Sequence, residues 1–166
     1  MPSGFPDYEY FEIPLPVAQG GTGLTQWDGA RVYKTATYTL TTGVAYVVAF
    51  DAERYDNGDL HDTVTNPSRL TAQKAGKYLI TGSVEFGESP TGTRIVGIRL
   101  GGSTYIAFQK VLADSTTLTR LTLSTIYHLA AGDYVELVVQ QNSGGNLWLT
   151  AAPAYSPEFA MQWVGP

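Results

Sequence analysis

The two histidines of the chain, His61 and His128, and its scattered carboxylates are where chemistry would be sought first. His61 stands beside Asp62 with Ser68 close behind, the residue types of a nucleophilic triad. A triad needs three groups convergent in space, and neighbouring loop residues rarely converge that way, so a solvated turn is the better reading. Asp56, Asn57, Asp59 and Asp62 offer the clustered oxygens that calcium takes. Their spacing lacks the Asp-x-Asp-x-Asp-Gly and later Glu of an EF-hand loop, and Asp-Asn-Gly is also what a tight turn requires. Glu85 and Glu88 flank Phe86-Gly87. They have the residue types of a glycosidase pair, but no local feature sets the roughly 5–9 Å separation that cleavage needs, and they read as surface residues. Gly20-Gly21-Thr22-Gly23 lacks the Lys-Ser/Thr of a phosphate loop, and no apolar strand precedes it. Two His and no Cys make a typical zinc site a poor fit. His128 alternates with core positions and faces solvent or a neighbouring subunit. The expectation is a non-enzyme with no catalytic residue, no cofactor and no metal ligand.

Whatever the chain does must then rest on its elements and surfaces. Its 166 residues fit one domain of ordinary size, large enough to bury a core. Charged residues make up only 15%, and Gly, Tyr, Thr and Val are abundant, which describes a β protein with many turns. A net charge of −5 argues against binding a phosphate backbone. Without cysteine no disulfide holds the fold, so folding in a reducing cytoplasm is expected. The opening Met1-Pro2-Ser3-Gly4-Phe5-Pro6-Asp7 does not read as a signal peptide, and no window approaches the ~20 apolar residues of a membrane helix.

Composition divides the chain into an extended N-terminal arm, 1–30, and a head, 31–166. The arm holds Pro2, Pro6, Pro14 and Pro16, carries Asp7, Glu9, Glu12 and Asp28 but no Lys or Arg, and ends in the glycine-rich stretch. Proline at that density excludes helix and central strand. Phe5, Tyr8, Tyr10, Phe11, Ile13, Leu15, Val17 and Trp27 interrupt it, and such a segment cannot bury them alone, so it is expected to order against a partner. Phe5, Tyr8, Tyr10, Phe11 and Ile13 are the candidate partner-binding residues.

The head reads as eight to ten short strands. Tyr46 to Phe50 is a continuous apolar run, followed by a turn at Asp56-Asn57-Gly58-Asp59. Tyr78, Ile80, Val84 and Phe86 alternate with polar residues. Ile95 to Leu100 and Tyr105 to Val111 flank Gly101-Gly102-Ser103, a hairpin signal. Leu121, Leu123, Tyr127 and Leu129 share one face of the next strand. Val135, Leu137 and Val139 alternate with Tyr134, Glu136, Val138 and Gln140, and Phe159 to Val164 closes the chain. This spacing predicts an all-β sandwich of two antiparallel sheets.

Val48-Ala49-Phe50, Asp56-Asn57-Gly58, Leu70-Thr71-Ala72 running into Ala75-Gly76-Lys77-Tyr78, Leu129 to Val135 with Leu137 and Val139, and Phe159 to Trp163 occur in an order that resembles the globular-head family of complement component 1q. That family shares its trimeric jelly roll with the tumour necrosis factor family. The resemblance covers roughly residues 31–166 and implies a jelly-roll homotrimer in which aromatic side chains bury one another near the threefold axis. Tyr78, Tyr134, Trp148 and Trp163 are the candidates for that interface. In the arm, Pro16 to Gly23 is similar to the glycine box of tail-fibre and related structural proteins of bacterial viruses, although a Gly-Gly-Thr-Gly linker has the same composition.

Together these readings predict a virion structural protein of a bacterial virus, made in the host cytoplasm. It is expected to be a capsid decoration, or cement, protein whose arm holds the major capsid protein or another virion protein, with no nucleic-acid or membrane partner. Thirty extended residues reach about 100 Å, enough to cross between coat subunits. A short tail-fibre tip that recognises a host surface glycan is the alternative. A soluble trimeric ligand-binding module of cellular origin is a third.

Overall fold

Apolar and polar residues alternate along the head, with Gly, Asn or Asp at the breaks, and this pattern forms strands joined by tight turns. The computed structural model describes residues 28–114, 117–152 and 157–166, among which there are twelve strands. They are β1 (Gly29–Tyr33), β2 (Tyr38–Leu40), β3 (Ala45–Val47), β4 (Ala52–Asp56), β5 (Arg69–Thr71), β6 (Gly76–Phe86), β7 (Thr93–Leu100), β8 (Thr104–Leu112), β9 (Thr119–Leu129), β10 (Tyr134–Gln141), β11 (Leu147–Leu149) and β12 (Glu158–Gly165). The composition break read from the sequence falls inside β1.

The strands form two antiparallel sheets packed as a jelly roll. One runs β2-β11-β6-β12-β1-β4, with β9 also paired to β6; the other runs β3-β10-β7-β8, with β5 also paired to β10. β6 is long enough to carry β12 and then β11 along one edge while β9 pairs with its whole length on the other. β8 and β9 are therefore the outer strands of their sheets, and they lie in contact along one side of the sandwich.

The core forms where the inward faces meet. Phe50 and Phe159 stack with ring centroids 5.9 Å apart, and Ile80, Phe86, Ile98, Leu129, Leu137 and Leu149 are fully buried around them. Leu137 of β10 fills the space left by Gly82 of β6: a Cβ on Gly82 would stand 2.4 Å from Leu137 Cδ1. Gly82→Ala is therefore expected to lower stability by about 1–3 kcal/mol through overpacking, read as a lower denaturant midpoint at unchanged slope.

The hairpin predicted at Gly101-Gly102-Ser103 is present: Gly101 and Gly102 have left-handed φ of 58° and 76°, and the Ser103 amide closes the turn by donating to the Leu100 carbonyl. The apolar run from Tyr46 is only partly strand. β3 ends at Val47, while Val48 and Phe50 stay buried and donate their amides to the Leu137 and Pro67 carbonyls. Glu136 and Val138 alternate with the core residues of β10, yet both are buried, and Glu136 is ion-paired with Arg69 of β5 and Arg99 of β7. The described chain begins and ends at the same end of the sandwich, since Gly29 is opposite Gln162. The turns 57–59, 73–75, 101–102 and 130–133 lie at that end.

Candidate functional site

The polar clusters singled out in the sequence form loops and ion pairs. The Asp56 carboxylate accepts from the amides of Gly58, Leu60 and His61 at 3.1, 3.1 and 2.9 Å, so it is the organiser of the turn. Asp62 accepts from the amides of Val64 and Thr65. Bonds from Thr65 and Val64 hold its carboxyl below the usual carboxylate range. His61 does not pair with Asp62. Its ring is buried, with Nδ1 2.8 Å from Glu53 Oε1 and Nε2 3.1 Å from the Pro67 carbonyl. Ser68 Oγ instead donates to Glu136, so the triad residue types do not converge.

Glu85 is not a surface residue as read from the sequence. It is 2% exposed and ion-paired with Arg120 of the neighbouring strand β9, while Glu88 is exposed, so the two carboxylates sit in different environments. His128 lies on the outer face of β9 and is exposed.

The four aromatic interface candidates do not come together. Tyr78 is fully buried, with its hydroxyl donating to the Lys74 carbonyl, so it belongs to the core and cannot line an interface; the alternation with Ile80 governs its direction. Tyr134 lies on the outer face of β10, with the Arg69 guanidinium 4.0 Å from its ring centroid. Trp148 is 50% exposed, its ring lying across Gly87 at the far end of the other sheet. Trp163 is half-buried at the end where the chain enters and leaves. The arm candidates Phe5, Tyr8, Tyr10, Phe11 and Ile13, and the glycine box, lie outside the described residues.

The structure brings forward a surface that the sequence reading missed. Phe108 and Leu112, on the outward face of β8, are 56% and 80% exposed, and Tyr105 meets Phe108 edge to face at 5.6 Å. Across the same side of the sandwich, Ile126 of β9 is 62% exposed, with Leu118 and Tyr127 also exposed. Ile126 pairs in register with the exposed Leu79 of β6. Beyond Leu79 a shallow depression of about 440 Å³ opens on the outer face of the larger sheet, lined by Arg31, Tyr55, Thr81, Thr122 and Glu158. Glu158 there holds both Arg31 and Arg54. A long outer strand bearing large apolar side chains invites association unless something covers it, and apolar groups gathered along one side mark a contact surface. The signal in the sequence was parity: Phe108 and Leu112 share a face with Lys110, and Ile126 shares one with Arg120 and His128.

The order of the strands in the two sheets defines a jelly roll. The chain matches no family model and no curated protein sequence. Among solved structures it is similar to murine APRIL, with a TM-score of 0.63 and 12% identity over 84% of this chain and 100% of that one. Eiger TNF from S. frugiperda gives 0.60 and 12% over 84% and 93%. The globular domain of zebrafish complement 1qA gives 0.55 and 11% over 81% and 93%.

Proposed function

We propose that this protein is a non-enzymatic structural component of a bacterial-virus particle: a homotrimeric jelly roll that clamps the shell through its N-terminal arm. The observation that carries the self-association is the apolar side formed by β8 and β9, with Tyr105, Phe108, Leu112 and Ile126 presented to solvent. A closed threefold ring is heterologous, so one surface must meet a different surface on the next copy. The side built by β8 and β9 on one subunit would meet the outer face of the larger sheet, around Leu79 and Tyr55, on its neighbour.

The particle half of the reading rests on the arm. The 27 residues before Asp28 reach at most about 97 Å. Their Phe5, Tyr8, Tyr10, Phe11 and Ile13 would dock as an extended segment, filling pockets or adding a strand to a coat-protein sheet. Three arms per trimer make the attachment multivalent, so modest contacts combine into firm binding.

The triple variant Phe5→Ala, Tyr8→Ala, Phe11→Ala is expected to keep the trimer folded and to reduce its occupancy on particles at least tenfold, measured by co-sedimentation. Unchanged occupancy removes the arm from the mechanism. A tail-fibre tip that recognises a surface glycan is the second reading, favoured by the glycine-box residues Pro16 to Gly23. Copy number separates the two, since hundreds per particle support cement and a handful supports a tail tip.

A further inference from the structure

The point where the arm joins the head is tied down by more contacts than strand pairing alone supplies. The Asp28 carbonyl accepts from the Trp163 amide and from Gln162 Nε2, both at 2.9 Å. One residue on, the Gly29 carbonyl accepts from the Asn57 amide at 2.9 Å. The Asp28 carboxylate lies 2.6 Å from Lys74 Nζ, and the same ammonium sits 4.0 Å from the Trp163 ring centroid. A bulge in β12 between Trp163 and Gly165 lets Trp163 close this end of the sandwich. Gly76 leaves room for the indole: a Cβ there would be 2.4 Å from Trp163 Nε1, and its φ of +145° suits glycine alone.

We propose that Asp28, Lys74 and Trp163 form a latch that fixes the root of the arm to the head, so that pull on the arm is delivered into β1 and β12 and is not absorbed by fraying. β1 and β12 are antiparallel, and Asp28 lies beside Trp163 near the end of the closing strand. A load applied at Asp28 therefore opens the β1–β12 pair from its end, one hydrogen bond at a time. Lys74 belongs to neither strand, and it engages the carboxylate of one segment and the aromatic face of the other. It thereby couples the first bonds to open. The mechanical role rests on the arm bearing load as proposed above; the latch itself does not.

The test follows amide hydrogen exchange of the full-length protein at Asn57 and Trp163, whose donors bind Gly29 and Asp28. In Lys74→Ala these amides are expected to exchange roughly tenfold faster, with amides of the central strand β10 unchanged. Lys74→Arg, which keeps a cation over the indole and beside the carboxylate, is expected to restore the wild-type rates. Unchanged exchange at Asn57 and Trp163 overturns the latch, as does an equal acceleration in β10, which would mean general destabilisation. If the variants show this pattern but wild-type protein fails to bind shells, the latch stands and the shell-clamping reading falls.

Discussion

Leu137→Asp leaves no folded head. The side chain is fully buried at the middle of β10 and inserts into the space above Gly82 of the facing sheet, so the aspartate has neither water nor a partner. An uncompensated buried carboxylate costs several kcal/mol, about 3 or more, and the lost leucine packing adds roughly 2–5. Together these approach the whole stability of an ordinary domain, about 5–15 kcal/mol. The expected result is insoluble or molten protein with no cooperative thermal transition. A variant that unfolds cooperatively near the wild-type temperature would mean that the two sheets do not close on Leu137.

The double variant Phe108→Asp, Ile126→Asp is expected to have the opposite character, a well-folded protein in the wrong oligomeric state. Both side chains are exposed in the single subunit, where surface substitutions usually change stability by less than about 0.5 kcal/mol. In a trimer that buries them, each aspartate would replace an apolar anchor with a desolvated charge, and such positions often carry 2 kcal/mol or more. Association should weaken at least about a thousandfold, about 4 kcal/mol. Sedimentation velocity at micromolar concentration would then show monomers, with the circular dichroism spectrum and melting temperature of the head retained. Trimers of unchanged stability would place the self-contact elsewhere and leave the β8–β9 side for another partner.

What the sequence revealed and what it hid follow from the range of each interaction. The alternation of Val135, Leu137 and Val139, the glycine pair at Gly101-Gly102 and the Asp56-Asn57-Gly58 turn are local patterns, and the structure contains each of them. Burial of Glu85 was not legible, because its cover comes from Arg120 on the adjacent strand β9. His61 was read as part of a solvated turn, yet its ring is buried, because folding brings up Glu53 from β4 as its partner. Tyr78 shows two local signals in conflict. Aromatic surplus suggested an interface, while strand parity put it inside, and parity prevailed because a strand cannot turn one side chain over without a bulge. Phe108 and Ile126 were visible in principle as apolar residues on the charged parity of their strands. The sequence could not show that β8 and β9 would stand side by side as the last strands of two different sheets.

Because the chain enters and leaves at one pole of the sandwich, the molecule has a natural up and down. At the opposite pole lie the segments 41–44, 87–92 and 142–146, of which Gly43, Gly144 and Gly145 leave their would-be Cβ positions in open space. In the attachment proposed above, anything spliced into Ser143-Gly144-Gly145 would ride on the tip of the head away from the arm's root.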